Sequence, residues 1–167
     1  MNKRDTFYFL YFIIHIPITI LMDSSIIVPQ KYLYPTQQYL VDLHLLANKD
    51  FLLQNPPLWL KYFGAFEVFF QLPFFFIATY MLYKGSRSVL TMMSLYGFNA
   101  FFTTGMCLAY VLVEAGNHGL STRHMLALFG LYTPYFVIPL VMMVDCSARA
   151  MGLIRTAEAV AVNKKTI

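Results

Sequence analysis

LWLKYFGAFEVFFQLPFFFIATYMLY, residues 58–83, decides the fold. Apart from Lys61 near its start and Glu67, these residues carry no charge. As an α-helix the stretch is about 39 Å long, more than the ~30 Å hydrocarbon core of a bilayer. A backbone at that depth must satisfy its own N–H and C=O groups, so the stretch is helical despite Pro73; neighbouring helices take up the freed carbonyl. Three further apolar stretches are long enough to cross, at approximately residues 6–28, 89–114 and 125–146. The expected fold is all-α, a polytopic membrane protein whose single domain, residues 1–167, is a four-transmembrane-helix bundle with a tail at 147–167.

Composition agrees. Of 167 residues, 59% are hydrophobic and 12% charged, with 16 Phe and 12 Tyr; a water-facing domain has about 25% charged residues. The net charge of +4 does not point to nucleic acid, because the twelve Lys and Arg are scattered at segment ends. The two cysteines, Cys107 and Cys146, provide no disulfide framework and read as small core residues. The first stretch follows Lys3 and Arg4 as a signal peptide would, but it is too long, contains Pro17 and Asp23, and precedes no small-x-small cleavage site.

With four spans, the N-terminus, the Lys84–Arg87 turn and the tail share one side. That side carries Lys3, Arg4, Lys84, Arg87, Arg149, Arg155, Lys164 and Lys165, against Lys31, Lys49, Lys61 and Arg123 opposite. The excess of basic residues places both termini in the cytosol. Residues 29–57 form the long loop. Pro35 and Thr36 followed by Tyr39, Leu40, Leu43, Leu46 and Ala47 read as a capped amphipathic helix, placed either to lie at the interface or to cover the bundle's mouth.

Two acids sit at membrane depth, where an ionisable group costs roughly 3 kcal/mol even on the lenient insertion scale and marks a site by default. Asp23 lies on the order of 9 Å, and Glu67 on the order of 6 Å, from the midpoint of its own span toward the non-cytosolic face. His15, Thr19 and Asp23 recur every four residues, as do Glu67 and Gln71; Tyr96, Asn99 and Thr103 on the third span and Tyr132 and Tyr135 on the fourth complete a polar set. Two carboxyls in a low dielectric do not both ionise, so one keeps a proton and bonds to the other. Such a pair takes the ammonium of an amphiphile whose apolar body rests on Phe and Tyr faces. It also serves as a general acid. A third alternative is plain helix glue, since interhelical hydrogen bonds of this kind are ordinary.

Several runs resemble one family: His15 to Thr19 with Met22 and Asp23; Lys49 and Asp50 with Leu52 to Gln54 and Pro56-Pro57; Glu67 to Phe74 with Ile77 to Tyr80; and Tyr132 to Tyr135 with Ile138 and Pro139. They are similar to the sigma-2 receptor family, in the EXPERA group with the emopamil-binding-protein sterol isomerases. The resemblance implies a four-helix membrane protein of the endoplasmic reticulum, often a homodimer, that acts in sterol homeostasis and binds sterols, oxysterols or cationic amphiphiles without a cofactor or metal. It implies Asp23 as the ligand's counter-ion, Glu67 as the acid bonded to it, Gln71, Tyr132 and Tyr135 as site residues, and Asp50 in a structural, loop-holding role. His15, Asn99 and Thr103 join the candidate ligand-binding set. Lys164 and Lys165, fourth and third from the end, resemble a dilysine retrieval signal, which is a receptor-read address. In the isomerases a His and a carboxylate stand one turn apart on the first helix; here Thr19 takes the acid's place, so the expectation is a binding protein rather than an enzyme. Two alternatives remain: a sterol double-bond isomerase using Asp23 and Glu67, and an adaptor for the trafficking or quality control of another membrane protein, a partner in sterol transport among them.

Overall fold

The computed structural model describes the backbone of residues 1–165 and the side chains of residues 1–162. Lys164 and Lys165, the expected retrieval pair, therefore have side chains outside the described residues. Among the described residues the regular structure is all helical, with α1 (Lys3–Leu21), α2 (Pro35–Asn48), α3 (Phe51–Gln54), α4 (Leu58–Phe66), a π-helical turn (Glu67–Gln71), α5 (Leu72–Tyr83), α6 (Val89–Glu114) and α7 (Thr122–Lys165). Among the described residues four stretches are long and apolar enough to cross a membrane: Lys3–Ile26, Leu58–Tyr83, Val89–Glu114 and Thr122–Val162 within α7.

The first span departs from one continuous helix. α1 ends at Leu21, and Asp23–Ile26 form a 3₁₀ turn. The cause is local. Ser24 Oγ donates to the Ile20 carbonyl at 2.7 Å and Ser25 Oγ to the Met22 carbonyl at 2.6 Å, so hydroxyls compete with the helical ladder. Asp23 thus lies just past the end of α1, in the turn, while still facing the side of His15.

The second span is interrupted too. Pro73 removes the N–H that would take the Phe69 carbonyl in α-helical register, and the chain answers with the π turn, in which the Leu72 N–H reaches back to the Glu67 carbonyl. Such a turn inserts one residue and is frequent at functional sites.

α6 and α7 form the main pair, and α1 packs on α5. Gly97 sets the α6–α7 distance: a Cβ there would lie 2.6 Å from the Pro139 carbonyl oxygen and 2.8 Å from the Met143 nitrogen. Two cores result. One gathers Tyr8, Phe12, Phe75, Met93, Tyr96 and Met142 at the end bearing the N-terminus; the other gathers Phe51, Leu52, Leu60, Cys107, Val111 and Leu128 at the opposite end.

Polar groups tie the N-terminal end. Arg149 bonds Asp5 at 2.7 Å and Asp145 at 3.3 Å, Arg4 meets Asp145 at 2.6 Å, and the Tyr8 hydroxyl donates to Asp145 at 3.2 Å. α7 continues past Cys146 without a break, and residues 151–162 are all exposed.

Candidate ligand cavity

Between the two cores lies a cavity of about 570 Å³, within the range of small-molecule sites. Its walls come from α1, the 3₁₀ turn, α2, the α4–π–α5 span, α6 and α7. Most of its lining is apolar or aromatic, and the polar groups converge on one spot. A ring nitrogen of His15, an Asp23 carboxylate oxygen and a Glu67 carboxylate oxygen all lie within 4.8 Å of one another. Glu67 Oε1 accepts from the Thr19 hydroxyl at 3.0 Å and stands 3.5 Å from His15 Nε2.

Each position has a local origin. His15 and Thr19 are buried one turn apart on α1, so both point toward the second span. The end of α1 turns Asp23 inward, and the π turn carries Glu67 and Gln71 together onto the cavity wall. Rings frame the spot: His15 packs against Tyr11 at 5.1 Å, Phe75 at 5.0 Å and Tyr135 at 5.3 Å between centroids. The Tyr11 and Tyr96 hydroxyls meet at 2.8 Å beneath them.

Of the expected site residues, His15, Asp23, Glu67, Gln71, Thr103, Tyr132 and Tyr135 line the cavity, and so does Asp50. Asn99 is not among the lining residues; its Oδ1 accepts from Gln71 Nε2 at 2.8 Å, so it orients Gln71, which the π turn aims at α6. Thr103 bonds back to the Asn99 and Ala100 carbonyls at 3.0 and 3.2 Å.

Asp50 is 2% exposed, with four donors around one carboxylate. Oδ1 accepts from the Leu52 and Leu53 N–H groups, both at 3.1 Å, as an N-cap; Oδ2 accepts from Tyr132 at 2.9 Å and meets His44 Nε2 at 3.0 Å. Asn48 donates to His44 Nδ1 at 3.3 Å, which makes Nε2 the protonated nitrogen. Sequence reasoning missed His44, although its position six residues before Asp50, on a helix entering a tight turn, carries a signal. It also left out Tyr11, whose fourth-residue spacing to His15 is legible.

His15, Asp23 and Glu67 also form the donor set a divalent metal accepts. A metal needs such atoms about 2.0–2.2 Å from one centre, whereas here Glu67 Oε1 already serves Thr19 and His15.

An EXPERA (EXPanded EBP superfamily) family model matches residues 33–146. Sigma intracellular receptor 2 of Homo sapiens is 37% identical over 145 residues, 81% of this chain and 82% of that protein. The chain belongs to the sigma-2 receptor family of EXPERA proteins. A further relative of this EXPERA protein, Efficient mitochondria targeting-associated protein 19 of Saccharomyces cerevisiae, is 34% identical over 152 residues, 83% of this chain and 94% of that protein. Its counterpart in Schizosaccharomyces pombe is 30% identical over 150 residues, 87% and 75% of the two chains. The family match runs from the loop ahead of α2 through most of the spanning part of α7, so it takes in Asp50, the π turn and the cavity tyrosines Tyr96, Tyr132 and Tyr135 but begins after His15 and Asp23.

Proposed function

We propose that this protein binds sterol-like or cationic amphiphilic ligands within the membrane, and that Asp23 is the counter-ion of a cationic ligand's ammonium. The observation that carries the reading is the convergence of Asp23, Glu67 and His15 at one spot of a 570 Å³ aromatic cavity. Glu67 is oriented by Thr19 and His15 and shares a proton with Asp23, which leaves one negative charge for the ligand. Rings of Tyr11, Tyr96 and Tyr135 hold the apolar body and add cation–π attraction. The family and the basic-residue bias support a role in sterol homeostasis or lipid trafficking at the endoplasmic reticulum, with both termini cytosolic. Homodimer formation belongs to the same reading. The test is Asp23→Asn in membrane-reconstituted protein. Loss of affinity for an N,N-dimethyl arylalkyl amine, protonated at neutral pH, by roughly 30-fold or more, with the fold kept, is expected; retained affinity overturns the ion-pair model.

One observation favours a second reading, a sterol double-bond isomerase. Although Thr19 replaces the acid on α1, His15 stands 3.5 Å from a carboxylate supplied by the second span, and a His–carboxylic acid pair over an apolar cavity is an acid–base device. Expression in cells lacking that isomerase separates the two, since restored sterol isomerisation would establish the enzyme.

A further inference from the structure

The cavity wall formed by α2 is fastened differently from the others. Of its fourteen residues only Gln37 and Val41 are buried, while Tyr39 and Leu46 are 66% and 82% exposed. It nevertheless turns Leu40, Leu43, His44 and Ala47 onto the cavity. An element with so little buried apolar surface belongs to the low-stability end of a fold and opens before the rest.

Polar bonds hold it at two places. Near its start, Gln37 Nε2 donates to Ser24 Oγ at 2.7 Å and reaches the Ile20 carbonyl at 3.4 Å, while the Ser24 hydroxyl donates to that same carbonyl at the end of α1. At its other end, Lys49 adopts the left-handed conformation at φ +51° and Asp50 is pinned by α3, Tyr132 and His44. The second place is a pivot, since Asp50 stays fixed by its other donors when α2 moves. The first is a catch, made by one side chain of α2. Ser24 is also the next residue after Asp23, inside the same 3₁₀ turn.

We propose that α2 is a lid over the cavity, pivoting at Lys49–Asp50, and that the Gln37–Ser24 hydrogen bond is its catch, joined to the site through the turn that carries Asp23. This regulation of access rests on the reading of the cavity as a ligand site. A ligand holding Asp23 stiffens the turn that presents Ser24, so occupancy and closure reinforce each other.

The chain contains its own reporter. Cys107 lines the cavity, whereas Cys146 is buried in the other core. In full-length protein carrying Cys146→Ala, held in lipid nanodiscs, the rate at which 2-aminoethyl methanethiosulfonate labels Cys107 reads the open population of the lid. Gln37→Ala and Ser24→Ala should each raise that rate about fivefold, the factor a neutral hydrogen bond represents. The double variant should be no faster than Gln37→Ala alone, because both changes break the same bond. Unchanged rates in both single variants would overturn the proposal and assign access to a path between the spans. An equal rise at Cys146 in a Cys107→Ala background would overturn it as well, by showing general loosening. The labelling needs no amphiphile, so the lid stands or falls separately from the ligand assignment. An added N,N-dimethyl arylalkyl amine that fails to slow labelling in the parent counts against the ligand reading alone, whereas slowing in the parent that vanishes in Ser24→Ala supports the joint between catch and site.

Discussion

Replacing Asp50 by Asn isolates what its carboxylate does beyond capping α3. Asn caps helices about as well as Asp, so the bonds from Leu52 and Leu53 to Oδ1 survive. The loss falls on Oδ2, where Tyr132 and His44 both donate. An amide nitrogen placed there cannot accept from either. Hydrogen bonds to a charged group are worth about 1.5–3 kcal/mol each, and Tyr132 can turn to accept from the new amide, so the net cost is about 3 kcal/mol. For a chain of this length that lowers the thermal midpoint by roughly 6–12 °C. Trp59, the single tryptophan, packs against Tyr110 beside Phe51 and Leu52, so its emission follows this end of the bundle directly. Tyr132→Phe should cost about 1.5 kcal/mol alone and little when combined with Asp50→Asn, because the two changes break one shared bond. A midpoint within about 2 °C of wild type for Asp50→Asn, or full additivity of the pair, would refute the four-donor account.

Gly97→Ala should destabilise by about 1–3 kcal/mol, because its Cβ meets the Pro139 carbonyl at 2.6 Å and α6 and α7 must part; a thermal melt in detergent checks it. Pro73→Ala restores a backbone donor and lets the α-helical ladder close, rotating Glu67 by about 100° relative to α5. Binding of the arylalkyl amine should fall at least tenfold while the melt is unchanged or higher. Arg149→Ala leaves Asp5 and Asp145 without their shared partner and should cost about 3 kcal/mol, with amphiphile affinity measured on the folded fraction retained.

Hydropathy and length alone locate the four helical crossings, because lipid leaves a chain few options. Asp23 and Glu67 fall at similar depth when each is counted from the midpoint of its own span, and they lie within 4.8 Å of each other. Their neighbours are partly legible: His15, Gln71 and Tyr135 stand on the wall at the spacing the sequence shows. What escapes reading depends on departures from ideal periodicity. Two serines end α1 early, Pro73 forces an extra residue into the second span, and that residue turns Gln71 onto Asn99. A fixed spacing of four assumes an unbroken helix, and both acids lie where the helix is broken. Amphipathicity gives α2 an apolar face without naming what lies under it, so the sequence alone does not choose between interface and mouth; Gln37 and His44, which fasten the helix, look like ordinary loop polar residues.

The π turn gives this span a property that matters for descent. It holds one residue more than an unbroken α-helix of the same rise requires. Deleting any single residue from 68 to 70 leaves hydropathy, caps and crossing length nearly untouched, while it swings Glu67 away from Asp23. One codon therefore separates the bundle from its pocket, and a lineage can discard ligand recognition and still inherit an intact membrane scaffold.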